Sequence, residues 1–297
     1  MRNNPTNTPF INTVLLGGST DQKIEAAGAA GFDEVEIWIA DVDNHPESDI
    51  GVANSLRANA VRATDLQVLR DFDGAPDDAK PGKRAEALRL LDTASAIGAP
   101  MIMVAASTSA DCVADRVTDD LRWLSSQAEQ RRIRIGYESL AWSTVTTTLP
   151  QAWQCVLEVD RANLGVVVDS FHIFVHGRDA ADLDGIAVDR IFAVQLSDFV
   201  STVEPEFVVE TARHHRLLPG EGNFPIDTIV DRLLADGYAG PIGLEVFNDK
   251  MKAADPYEIA RRAMHALRDI VHSGSSNIPP ASPLIRATQR GLGSQAA

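Results

Sequence analysis

Eight short apolar runs recur along this chain, each followed by a stretch of helical periodicity, and that alternation limits what it can fold into. The runs fall at 10–16, 34–39, 63–69, 100–105, 133–138, 164–169, 191–196 and 241–246. Their nearly all-apolar, β-branched composition is that of strands covered on both faces, as in a parallel sheet. The segments between them carry helix punctuation. DQKIEAAGAAG follows Thr20, a residue suited to an N-cap, and KRAEALRLLDTASAIG ends on Gly98. PIDTIVDRLLADG and DPYEIARRAMHALRDIVHSG have Pro at the start and Gly past the end. Eight strand–helix units predict a closed (β/α)8 TIM barrel in one domain, and 297 residues suffice to build it. An open, doubly wound sheet is the alternative, but no GxGxxG follows the first run, and eight units favour closure.

The alternation stops at Ser273, where the chain becomes rich in Ser, Pro and Gly without a period. The expected organisation is therefore a barrel over residues 1–272 and a disordered, flexible tail over 273–297. A formal net charge of −15 argues against a nucleic-acid backbone or an anionic membrane as partner. Cys112 and Cys155 are the two cysteines and belong to no CxxC, so neither a disulfide framework nor a zinc cluster is expected. MRNNPTNTPF lacks the basic start of a signal peptide, and Asn12 and Thr13 interrupt the short apolar stretch that follows. No run reaches the roughly 18 apolar residues of a membrane span. These features read as a soluble, cytoplasmic protein whose self-association into a homo-oligomer stays open.

Four of the runs end on, or carry near their ends, an oxygen-bearing side chain: Glu138, Asp169, Gln195 and Glu245. A charged or amide group at the end of a buried strand loses solvation unless something compensates it. Taken singly, each could be a strand end paired with Arg or capping a helix. Together they supply three carboxylates and one amide oxygen, the donor set of a hard divalent cation such as Mg²⁺ or Mn²⁺. In a barrel they share the C-terminal face, where active sites are built. Two long loops, RDFDGAPDDAKPGK after the third run and SDFVSTVEPEFVVETARHHRLLPGEGNFP after the seventh, open on the same face.

His172 lies one helical turn past Asp169 in VDSFHIF, and histidine suits proton transfer near neutral pH. His176, His265 and His272 have no such neighbours and read as surface or structural. Arg216 precedes a Pro-Gly-x-Gly turn, and Arg70 ends the third run in VLRDFDG. Two Arg at the mouth suit a carboxylate or phosphate on the substrate, and spacing does not say which would clamp it.

GYE at run five, VVDSFH after run six, R-x-x-P-G-E-G and GLEVF at run eight together resemble the xylose isomerase-like TIM barrels, the sugar-phosphate isomerase/epimerase superfamily. The resemblance covers nearly all of the chain except the tail. Most such barrels carry His at the run-seven metal position; Gln195, with LQVLRDFDGAP, Lys83-Arg84 and VQLSDF, is similar to the 3-dehydroshikimate dehydratases of that superfamily. The resemblance implies a metal held by Glu138, Asp169, Gln195 and Glu245, with His172 as acid/base and Arg70 or Arg216 near a substrate carboxylate. It implies dehydration of 3-dehydroshikimate to protocatechuate, an anionic cyclic hydroxy-ketone as substrate. VSTVEPEFVVETARHH and Trp38 in EIWIADVDNHP depart from the dehydratase pattern. A sugar or sugar-phosphate isomerase or epimerase is the runner-up, because it needs the same first step, proton removal beside a metal-bound carbonyl. A metal-dependent endonuclease would need more His ligands and a basic groove, and a non-catalytic sugar-binding barrel would be expected to have lost ligands.

Overall fold

A computed structural model of the chain describes residues 7–200 and 203–276, with side chains up to residue 271. Its strands are β1 (Pro9–Asn12), β2 (Glu34–Trp38), β3 (Arg62–Leu69), β4 (Met101–Ala105), β5 (Arg134–Glu138), β6 (Leu164–Asp169), β7 (Ile191–Leu196) and β8 (Ile242–Leu244). All pair in parallel and in sequence order, and β1 closes on β8 to complete the barrel. The expected (β/α)8 architecture is the observed one. Among the described residues, no helix is long and apolar enough to cross a membrane.

Several boundaries differ from expectation, each for a local reason. The first strand stops at Asn12, not residue 16, because the Asn12 side chain accepts the Val14 N–H at 2.9 Å and turns Thr13–Leu15 into a 3-10 helix. Ser19, not Thr20, caps the first helix, in a reciprocal capping box with Gln22. Thr20 instead donates to the Asp41 carbonyl oxygen. The helix Lys80–Ile97 ends as expected on Gly98, whose φ of 78° suits a residue without Cβ. The last helix runs through Gly274 to Ser276, past the expected boundary at 273. The remainder of the expected tail, 277–297, lies outside the described residues.

Alternation along the strands sorts side chains into two layers. Outward-facing Val35, Ile37, Ile135, Val166, Val168 and Val194 join the shell of helices in the main core. Inward-facing Phe10, Met101, Met103, Val167 and Phe192 fill part of the barrel interior. Above and among them lies a set of buried polar side chains, and register decides which of them meet. Asp169 pairs directly with Gln195 across β6 and β7, while Gln195 faces Gly243 on β8, two residues short of Glu245.

Candidate active site

The four strand-end residues converge on the C-terminal face, and all four are at least 96% buried. Asp169 has two duties. Its Oδ1 accepts the Phe171 N–H at 2.8 Å and so starts the short helix Ser170–Phe174, while Oδ2 faces inward. That helix carries His172 back over the barrel mouth. The His172 Nε2 sits 3.5 Å from Asp169 Oδ2 and 3.8 Å from Glu138 Oε1. Glu138, Asp169 and His172 can each offer a metal-ligating atom, the three atoms lying within 4.8 Å of one another.

Of the two expected cations, Arg216 is at the floor of the site. Its Nη1 lies 2.7 Å from Asp169 Oδ2 and 3.3 Å from Glu245 Oε2, and its guanidinium rests on Phe171 and Phe247. Delivery of this side chain explains the Pro-Gly-x-Gly loop. Asp198 accepts the N–H groups of Gly220, Gly222 and Phe224, gathering the loop around one carboxylate. A Cβ at Gly222 would come within 2.4 Å of both Asp198 and the Phe199 carbonyl, so this position admits only glycine. Arg70 stands higher, on the wall, stacked 5.1 Å from the centre of the Trp38 ring, which itself meets Phe247 edge-on. Arg70 makes no ion pair among the described residues. Partial desolvation and the nearby charge of Arg213 both lower its pKa. The charge of an anion entering the site would offset both effects.

Burial, and then the charges of Glu245 and Asp169, raise the Glu138 carboxyl well above the usual carboxylate range. Burial likewise pushes Glu245 up to about 8, although Arg216 opposes it. Burial works against the charge of Arg216 too, but Asp169 and Glu245 more than offset it. His172 is pushed down to about 3, by burial first, with Asp169 opposing, so its ring is neutral. The Ala141 N–H donates to His172 Nδ1 at 3.1 Å, which leaves the ring proton on Nε2, the nitrogen that faces the carboxylates. The expected acid/base group is thus a proton-bearing donor in this arrangement.

The donor set fits a divalent cation. Glu138 Oε1 and Gln195 Oε1 are buried and have no hydrogen-bond partner among the described residues. Three carboxylates against one guanidinium leave a formal charge of −2 when all are ionised, which a divalent ion would neutralise. Above this cluster opens a cavity of about 370 Å³, walled by Trp38, Arg70, Trp142, His172, Arg213 and Phe247. That is the size range of a small-molecule site.

The profile of the xylose isomerase-like TIM barrels matches residues 24–270. The chain belongs to that family. It is 36% identical over 259 residues to a Pseudomonas putida protein named 3-dehydroshikimate dehydratase, covering 86% of this chain and 40% of that one. A Neurospora crassa protein of the same name is 26% identical, covering 93% of this chain and 94% of that one. Among solved structures, a xylose isomerase-like TIM barrel/4-hydroxyphenylpyruvate dioxygenase fusion protein superposes with a TM-score of 0.86 at 33% identity. The superposition covers 93% of this chain and 45% of the fusion. The chain therefore spans less than half the length of the Pseudomonas protein and of the fusion.

Residues that sequence reasoning missed lie on the earlier strands. Asn12, read only as a break in an apolar run, donates to Glu245 Oε1 at 3.1 Å. Glu36 on β2 accepts from Gln195 Nε2 at 2.9 and 3.1 Å. The signal was present in EVEIW and TDLQVL, where Glu36, Asp65 and Gln67 stand in mid-strand and are fully buried. A charge there has no solvent to reach and must have a partner inside.

Proposed function

We propose that this chain is a divalent-metal-dependent dehydratase that converts 3-dehydroshikimate to protocatechuate and water. One observation carries the reading: an all-oxygen cluster of Glu138, Asp169, Gln195 and Glu245 lies beneath a cavity whose wall presents Arg70, a cation without an ion pair among the described residues. The name shared by the Pseudomonas and Neurospora relatives supports it. The Neurospora match takes in 93% of this chain and 94% of that protein, so the reading does not require the further part of the longer Pseudomonas protein.

Glu138, Asp169, Gln195 and Glu245 would hold Mg²⁺ or Mn²⁺. Bound there, the ion supplies Lewis acidity toward a ketone oxygen and so acidifies the adjacent C–H. The protein's own groups orient the substrate and manage its charge. Arg70, braced by Trp38 at the cavity wall, would meet the substrate's carboxylate. Arg216 holds Asp169 and Glu245 in place. The Nε2–H of His172 donates to the substrate oxygen on which charge collects or which departs, the duty a neutral imidazole can perform. Trp142, edge-on to His172 at 5.0 Å, helps exclude water from that bond. The substrate loses a carbon-bound hydrogen and a hydroxyl as water, and enolisation then completes an aromatic ring.

The test is incubation of Mn²⁺-loaded protein with 3-dehydroshikimate, beside a panel of ketoses and ketose phosphates. Ultraviolet absorption of a catechol acid is the expected result. Interconversion of a ketose with no catechol formed would replace the dehydratase reading with an isomerase or epimerase and leave the metal cluster standing.

A further inference from the structure

Gln195 is the odd member of the cluster, because an amide has two ends of nearly equal shape and opposite polarity. Its oxygen can serve a cation; its NH₂ would repel one. Something must decide which end faces the carboxylates. The Gln195 side chain is fully buried, so solvent cannot. Its Nε2 is surrounded by acceptors, with both Glu36 oxygens at 2.9 and 3.1 Å and Met103 Sδ at 3.6 Å. Its Oε1 has no partner among the described residues. Glu36 is itself fully buried on β2 and pairs in register with Asp65 of β3, whose carboxylate oxygens have no hydrogen-bond partner among the described residues. Turning the amide over would lose both hydrogen bonds to Glu36 and set the amide oxygen against that carboxyl. It would also point a donor, not a lone pair, at the place a cation would take.

We propose that Glu36 is a positioning residue for Gln195, holding the amide so that Oε1 is presented to the metal. The inference rests on the metal-site reading above. It assigns to the otherwise unexplained acid of EVEIW the outer-layer role that carboxylates fill behind histidine ligands elsewhere. It also specifies which substitutions should be tolerated. E36Q still accepts from Gln195 through its own amide oxygen; E36M fills the space but accepts nothing.

The experiment measures Mn²⁺ affinity of the full chain by calorimetric titration after chelation, with circular dichroism of the metal-free forms as the folding control. E36M is expected to weaken Mn²⁺ binding about 10- to 100-fold, as loss of an outer partner does. E36Q should stay within about twofold of wild type. In a Q195M background, E36M should change affinity by no more than about twofold, since the ligand it positions is gone. Should E36M fold poorly, E36D withdraws the acceptor by one methylene and is expected to weaken binding by itself. Equal losses from E36M in both backgrounds, or E36D or E36M binding as tightly as wild type, would overturn the proposal. Wild-type protein that binds no Mn²⁺ would instead remove the metal site, and this inference with it.

Discussion

Replacing Arg216 with Met tests how the site balances its charge. Arg216 is 2% exposed, and its guanidinium is the one cation in ion-pair contact with Asp169 and Glu245 among the described residues. Methionine keeps much of the apolar stem against Phe171 and Phe247 and removes only the charge and its hydrogen bonds. Breaking a buried pair from one side costs about 3–5 kcal/mol, because the remaining carboxylates stay in a dry site without a counter-charge. For chelator-treated protein at pH 8, that corresponds to a urea midpoint lowered by roughly 1–2 M, read by far-ultraviolet circular dichroism. The deficit should narrow as pH falls from 8 to 6. Burial and its acidic neighbours place the Glu245 carboxyl at about 8 even with Arg216 present, so the folded state holds a proton that the unfolded state has released. A carboxyl raised in this way contributes stability at low pH that is lost as pH rises through the folded value, and removing Arg216 extends that window upward. Saturating Mn²⁺ should stabilise the variant at least as much as wild type, by about 2.7 kcal/mol at a hundredfold excess over Kd. Adding E245Q to R216M should recover part of the loss. An R216M protein within about 0.5 kcal/mol of wild type at pH 8 would refute this electrostatic account.

H172A should keep its metal, measured by elemental analysis, while turnover falls about 10²- to 10³-fold; H172N, which retains an N–H donor, should fall less. Loss of metal from H172A would make His172 a ligand. R70M should lower kcat/KM for an anionic substrate by one to two orders of magnitude, mainly through KM, and leave metal content unchanged; an unchanged KM would move the anion site elsewhere. Asp73 is raised by burial from 3.8 to about 6, against the hydrogen bond from Tyr137, so wild type should lose stability as pH rises across that interval. D73N, with nothing to titrate there, should gain on wild type by roughly 2–3 kcal/mol between pH 4 and pH 7 in parallel unfolding titrations.

The barrel was legible because its strands are buried on both faces, which makes most of them apolar runs that periodicity detects. The four cluster residues were legible for a related reason: Glu138 and Asp169 terminate such runs, and Gln195 and Glu245 interrupt them. The inner half of β2 and β3 was harder. Glu36, Asp65 and Gln67 alternate with apolar neighbours, a pattern shared with half-exposed strands, and only closure of the barrel shows that their face is dry. Arg216 was visible as a cation at the mouth, but its commitment to Asp169 and Glu245 depends on the loop that Asp198 gathers, a tertiary fact absent from spacing. The tautomer of His172 likewise depends on the Ala141 N–H, contributed from 31 residues away.

Crystals grown with Mn²⁺ and measured at a wavelength where manganese scatters anomalously would test the central claim most directly. The account predicts a single anomalous peak within bonding distance of oxygens from Glu138, Asp169, Gln195 and Glu245, with the Gln195 NH₂ still on Glu36. A peak held by His172 with Gln195 outside its coordination, or no peak at the strand ends in metal-saturated protein, would contradict it.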